Sequence, residues 1–469
     1  MMLRKFSSHI TGTRKLLAMA LPMIVSQASM TIMMFTDRVF LARIGEQHMS
    51  AAMIGGLTVF LAMTFWYGII GYVNALVAQH YGAKKYKDCS LAVSQGAILA
   101  VLAYPIILLC IPVGKWLFSI SHHDPLQFQL ECTYFSILVF SSIIWLLKTA
   151  LIGFFVGRGK SQTVMVADVI GMIINVPCNY ILIFGKLGVP ALGVAGAAYG
   201  SIIGAVVTLT ILACSYLRKR YRKKYDIIGN MRFDMKMFKK LIRFGFPAGA
   251  EFFLIIAAFN AIMQQFHSYG SDVAAAVTIT TSWDLIAFLP MYGLAIAVTS
   301  IVGQNMGAGN IEEAKLSAYR GVFVALIYDI IMVSLFLFAT KYLVAIFVTA
   351  EEAAAKPIIP TMATTMIRMA ALYVFFESAY LCIAGALRGA GDTRSVMRIT
   401  VISHWFFSVL VVALITVFHT TPIVAWAGFI ALPITTAIFV FARFKKGHWK
   451  KIKVVDPDAA LVTTESPLP

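Results

Sequence analysis

The run PMIVSQASMTIMMFTDRVFLARIG, residues 22–45, is apolar for most of its length yet carries Asp37 and Arg38 toward its end. It returns in altered form as PAGAEFFLIIAAFNAIMQQFHSYG at 247–270. In both, a proline precedes a loop glycine by 23 residues, and an alanine cluster follows, Ala51-Ala52 and Ala274-Ala275-Ala276. Each proline suits a helix's first turn or a kink, because its ring removes one backbone donor. AQHYGAK at 78–84 and GQNMGAG at 303–309 continue the match, since Gln79 to Gln304 and Pro22 to Pro247 share an offset of 225 residues. One long apolar unit is written twice.

The repeat explains a stretch that otherwise suggests a nucleotide site. FFVGRGKSQT at 154–163 has the glycine, lysine and serine of a phosphate loop. That loop needs a glycine five positions before the second one, after a strand. Here Phe154 stands five before Gly159, and an apolar helical run precedes it. Its twin, LRGAGDT at 387–393, lies at an offset of 230 and has alanine and glycine where the lysine and serine stand. GRGKSQT is therefore a turn between two helices. The five residues gained between the two offsets fit the loop carrying Glu351 and Glu352.

Sixty per cent of the 469 residues are hydrophobic, 13% are charged, and mean hydropathy is +0.83. A water-soluble domain has about one quarter charged residues, so the apolar surface needs a bilayer. Runs of at least ~20 apolar residues imply an all-α polytopic membrane protein. Twelve runs fall at 16–42, 48–78, 90–120, 129–156, 161–184, 193–217, 241–266, 272–303, 318–348, 358–387, 395–418 and 422–442. The longer ones imply tilt or helix continuing past the membrane. With no early small-residue cleavage site, the first run reads as a retained helix. The predicted organisation is a six-helix bundle at 1–217, a basic linker at 218–240, a second bundle at 241–442 and a cytoplasmic tail at 443–469, of which the last stretch, VVDPDAALVTTESPLP at 454–469, is expected to be mobile. An even number of helices per half repeats in one orientation, so the halves should be related by a pseudo-two-fold axis along the membrane normal, with a cavity between them.

The net charge of +18 would suggest nucleic acid in a soluble chain. Placing the N-terminus in the cytoplasm and alternating sides puts 31 of the 39 Lys and Arg residues in cytoplasmic segments. This positive-inside bias predicts both termini in the cytoplasm. RKRYRKKY at 218–225 reads as a topological anchor on anionic lipid rather than a nucleic-acid arm. The six cysteines are scattered through apolar helices without metal-ligand spacing, a pattern of thiols that pack.

Charges placed within apolar spans carry the functional reading, since each costs about 2.5–3.5 kcal/mol on insertion scales. The candidates are Asp37, Lys148, Glu251, Asp284, Asp329 and Glu377, with Asp168 nearer the end of its helix. Glu251 lies eight residues from Arg243 and Glu377 eleven from Arg388, giving depths of about 12 and 16 Å. These two could meet and share a Na+ ion or a proton, because neighbouring carboxylates in a dry site cannot both stay ionised unpaired. Asp37 either forms an interfacial pair with Arg38 or joins Asn175 and Asn179, which share one helix face. Pro177 between the asparagines would bend that helix and free carbonyl groups. Asp284 and Asp329 are weaker candidates; Lys148 could neutralise one of these acids, but a structural pairing is the favoured reading for it. Some of the 23 methionines and 34 phenylalanines could line a soft cavity for flat apolar cations.

Taken together, FTDRVFLARIG, the AQHYG and GQNMG turns, NVPCNYILIFG at 175–185 and GALRGAGDTR at 385–394 resemble the multidrug and toxic compound extrusion (MATE) family, NorM-like branch, over about 14–442. The resemblance implies two six-helix bundles around a cavity, exporting organic cations against inward Na+ or H+ flow. It implies roles for Asp37 and for Glu377 as the helix-ten acid. Glu251 stands about one turn from the glutamate of several family members. The expected protein is not an enzyme and needs no cofactor beyond the transported ion. It is a bacterial inner-membrane multi-pass exporter of small-molecule drugs or metabolites, functional as a monomer. The rivals are a lipid-linked sugar flippase of the same superfamily and a non-coupled channel or receptor.

Overall fold

The computed structural model describes residues 2–120, 124–348 and 350–455. In the first half the helices are α1 (Met2–Ala42), α2 (Glu46–Gly71), α3 (Val73–Gly82), α4 (Tyr86–Leu108) and α5 (Cys110–Ile120). They continue as α6 (Pro125–Phe140), α7 (Ser142–Gly157), α8 (Ser161–Phe184) and α9 (Val194–Tyr216), with a short basic helix, α10 (Lys219–Tyr225), after them. The second half holds α11 (Met235–His267), α12 (Ser271–Gly307), α13 (Ile311–Phe338), α14 (Thr340–Ala345) and α15 (Ala350–Ala355). It closes with α16 (Ile358–Ala370), α17 (Val374–Ala390), α18 (Thr393–Thr416) and α19 (Pro422–Lys445). Among the described residues ten spans are long and apolar enough to cross a membrane, and two bent pairs bring the total to twelve. The architecture is an all-helical, two-lobed membrane protein.

The bent pairs are α6–α7, at 45°, and α16–α17, at 47°. Their breaks, at Ser141 and at Ala371, are 230 residues apart, the offset that relates GRGKSQT to LRGAGDT. The repeat thus extends to where the fourth helix of each half is interrupted. Neither break holds a proline, so apolar length alone predicted continuous spans there.

Buried apolar side chains form one large cluster in each lobe. The second-lobe cluster takes in Leu16, Met19 and Ala20 from α1, while the first-lobe cluster takes in Met237 and Leu241 from α11. Leu16 and Leu241 are equivalent positions at the 225-residue offset. The entering turns of the two repeats are exchanged, each packing on the opposite lobe.

The lobes meet tightly at the face bearing the basic loops. Gln79 Nε2 donates to the Gly389 carbonyl at 2.7 Å, and its equivalent Gln304 Nε2 donates to the Gly157 carbonyl at 2.8 Å. Each glutamine of one lobe thus caps the terminal carbonyls of a helix in the other, groups that lack intrahelical partners. The approach needs glycine: a Cβ at Gly82 would collide with the Gln304 carbonyl oxygen, and one at Gly307 with that of Gln79. Nearby, Ser300 Oγ donates to Asn74 Oδ1 at 2.9 Å.

The basic segment is partly ordered by aromatic packing. Arg158 lies buried over the rings of Tyr221, 4.0 Å to the centroid, and Phe154, 4.6 Å. Burial alone would raise the Tyr221 phenol, but the adjoining Arg158 guanidinium brings it below the ordinary tyrosine value. The expected linker at 218–240 contains α10 and the first turns of α11. The start of the tail packs against the helices as far as Val454, the first residue of the stretch expected to be mobile. Trp449 is buried and stacks on Phe444 at 5.0 Å, and Val454 is buried against Gly391. The remainder of that tail, 456–469, lies outside the described residues.

Candidate functional site

Asp37 sits on α1 toward the end remote from the basic face, and it is buried. Asn179 Nδ2 donates to its Oδ1, and Ser201 Oγ donates to its Oδ2 at 3.1 Å. Asn179 Nδ2 also reaches Asn175 Oδ1 at 3.2 Å. Of the two readings open for Asp37, the structure forms the one with the asparagines, though α8 runs unbroken through Pro177. Asn175 and Asn179 are fully buried, and the remaining amide atom of each, Asn175 Nδ2 and Asn179 Oδ1, has no hydrogen-bond partner among the described residues. A buried carboxylate with hydroxyl and amide partners, beside unused polar atoms, can exchange a proton or hold a small cation.

Ser201 was not a candidate in the sequence, although a signal for it exists. Gly196, Gly200 and Gly204 recur every fourth residue on α9, a small-residue stripe that lets helices approach closely. It packs on α8, with Gly200 against the Asn179 side chain and Gly204 3.0 Å, at a notional Cβ, from that of Asn175. The stripe brings Ser201 to Asp37. Gly200→Ala should push the Asn179 amide off Asp37 and cut transport at least tenfold, while Ser201→Ala, which loses one hydrogen bond of about 1 kcal/mol, should cost only a few-fold. Initial export rates in vesicles decide this, and an unimpaired Gly200→Ala would remove Asn179 from the site.

In the second lobe the acids group differently from the expectation that Glu251 and Glu377 meet. Glu251 is buried and bound by Arg388, whose Nη2 lies 2.6 Å and Nε 3.4 Å from its oxygens, with Thr400 Oγ1 donating at 3.0 Å. A guanidinium supplies planar paired donors matched to a carboxylate, so Glu251 is committed to a structural pair. Its oxygens are taken up here by Arg388 and Thr400 rather than by a Na+ site shared with Glu377. Sequence depth placed both acids at similar heights, but depth along a helix does not say which way a side chain faces.

Glu377 instead lies in the first turn of α17, just past the α16–α17 break, within electrostatic reach of Asp284 on α12 and Asp329 on α13. The Tyr373 hydroxyl, at the break itself, donates to Asp284 Oδ1 at 2.5 Å. Ser378 Oγ donates to Asp329 Oδ2, while the other oxygen of the fully buried Asp329 has no hydrogen-bond partner among the described residues. The helix break therefore delivers Tyr373, Glu377 and Ser378 to two acids on other helices. Among the described residues no three His, Cys, Asp or Glu side chains converge closely enough to hold a metal ion.

Lys148 pairs with Asp168, Nζ to Oδ1 3.5 Å, rather than with Asp284 or Asp329. Asp168 lies on α8 and Lys148 on α7, so the pair belongs to the first lobe.

Comparison with known proteins follows this geometry. A family model described as MatE matches residues 22–181 and 247–414, the two repeats. The multidrug resistance protein MdtK of Photorhabdus laumondii is 28% identical over 444 residues, covering 93% of this chain and 95% of its own. The probable multidrug resistance protein NorM of Shewanella oneidensis is 27% identical over 462 residues, covering 95% and 98%. A solved MOP superfamily transporter from Pyrococcus furiosus superposes with a TM-score of 0.83 at 20% identity, over 94% of this chain and 97% of that one.

Proposed function

Because the chain belongs to the MatE family of membrane transporters, we propose that it is a secondary active exporter of organic, often cationic and aromatic, small molecules, driven by entry of Na+ or H+. The observation that carries this reading is a set of membrane-embedded acids, Asp37 in one lobe and Asp284, Asp329 and Glu377 in the other. Among the described residues these have hydroxyl, amide or acidic neighbours and no ion pair. Ionisable groups within a bilayer are rare and mark ion and substrate pathways. One monovalent cation entering down 100 mV supplies about 2.3 kcal/mol, enough to raise a substrate gradient when the two bind exclusively. The protein lies in the bacterial inner membrane with its basic face in the cytoplasm, and works as a monomer.

The crossed glutamines then close the cytoplasmic passage. Inward opening must break both bonds. Replacing Gln79 and Gln304 together by alanine removes two bonds of about 1 kcal/mol each and should favour the inward-facing state by about tenfold or more. Spin labels at Lys87 and Asn310, on opposite lobes, would read this as a longer-distance population. An unchanged distribution would show that the glutamines do not hold the gate.

Export is tested directly with purified protein in proteoliposomes, following efflux of an aromatic cation such as ethidium under sodium and pH gradients imposed separately. Efflux that follows one gradient identifies the coupling ion. Efflux that ignores both, or none at all, would overturn the proposal in favour of a channel or receptor.

A further inference from the structure

The first lobe carries a second polar level, between Asp37 and the basic face, that the proposed ion cycle does not use. Asp168 is seven residues into α8 and Lys148 ten residues from Arg158 on α7, about 10 and 15 Å from that face. Lys148 Nζ lies 3.5 Å from Asp168 Oδ1 and 4.8 Å from the centroid of the Trp145 indole. Ser26 Oγ, from α1, donates to Asp168 Oδ2, and Tyr67, from α2, stands within electrostatic reach of the same carboxylate. Four helices thus surround one ammonium group with a carboxylate, a hydroxyl-held second oxygen and an aromatic face. These are the elements that recognise an organic ammonium ion.

The occupant is held loosely. A tight charge-assisted bond is about 2.7–2.9 Å long, whereas this single contact is 3.5 Å. Lysine ends in a point charge on a flexible four-carbon stem, so its head can withdraw without moving a helix. Both side chains also remain accessible, Lys148 at 14% and Asp168 at 13%, although Asp168 lies at a four-helix junction. The pair is therefore not sealed off completely.

We propose that Asp168, Trp145 and Ser26 form a binding site for the ammonium group of an organic cation, and that Lys148 is an internal occupant which the ligand displaces. This rests on the reading of the protein as an exporter of organic cations and names one place where they bind. The lysine sets the threshold for entry: a monocation must compete with a tethered one, so weak or fully hydrated cations are excluded while ligands that add apolar contact succeed.

Binding of benzyltrimethylammonium to full-length protein in nanodiscs, by titration calorimetry and with no gradient present, tests this apart from transport. Lys148→Met, which removes the competitor, should bind at least tenfold tighter than the unaltered chain. Asp168→Asn, alone or combined with Lys148→Met, should lose binding. Lys148→Arg should weaken binding several-fold, because a guanidinium can hold Asp168 through two bonds; this variant keeps the charge pair should Lys148→Met fail to fold. Equal affinity for the lysine variants and the unaltered chain, or retained binding in Asp168→Asn, would overturn the proposal. Loss of gradient-driven efflux with these affinities intact would instead count against the exporter reading and leave the binding site standing.

Discussion

Glu377→Gln should reduce gradient-driven export to the level of protein-free liposomes while leaving the folded protein intact. Glu377 shares its surroundings with Asp284 and Asp329 and has no basic partner among the described residues. Three neighbouring carboxylates in a low-dielectric site repel one another unless a cation or protons intervene. Replacing one by its neutral isostere relieves that repulsion, so the unfolding midpoint should hold or rise. The cation-dependent step, however, loses the carboxylate that takes up and releases the driving ion. Export and thermal unfolding measured on one preparation separate the two effects. Normal export by this variant would remove the second-lobe acids from the coupling cycle.

Glu251→Gln should behave in the opposite way, with a large loss of stability. It leaves the Arg388 guanidinium without its countercharge in a buried setting, and removing one partner of a buried ion pair costs about 3–5 kcal/mol. Arg388 keeps 24% of its side chain exposed, against 2% for Glu251, so water screens part of the loss and the lower end of that range is expected. The pair, with Thr400, ties α11, α17 and α18 together. Replacing both charges, in Glu251→Gln with Arg388→Gln, should recover most of the stability, because no uncompensated charge then remains. Unfolding midpoints of the two single variants and the double form the cycle. If Glu251→Gln unfolded like the unaltered chain yet failed to export, Glu251 would be an ion carrier and its pairing with Arg388 incidental.

The two glutamates show where sequence reading stops. Both are acids inside apolar runs at comparable depth, and one-dimensional spacing makes them candidates for a single site. Their separation into a structural pair and an acid group depends on the azimuth of each helix and on the break before Glu377. Neither leaves a mark in hydropathy. Asn175 and Asn179 were legible because their four-residue spacing fixes a common face whatever the tertiary packing. Ser201 was within reach through the glycine stripe on α9, but that stripe announces a close helix contact without saying which helix fills it. Lys148 was legible as a buried charge, whereas its partner Asp168 sits on a neighbouring helix at a height no spacing rule relates to it.

By itself the sequence determined that the chain lives in a bilayer, crosses it about twelve times and is built from two like-oriented halves. These follow from apolar length and from repeated landmarks, quantities read along one dimension. Only the tertiary structure decided that the entering turns of the halves are exchanged, that two glutamines bond across the basic face, and which acids stand free of basic partners. The reason is that hydrophobic burial rewards a helix for being apolar without specifying its rotation. Rotation is settled by close packing and by the need of each buried polar group for a partner, and those partners come from helices far away in the chain.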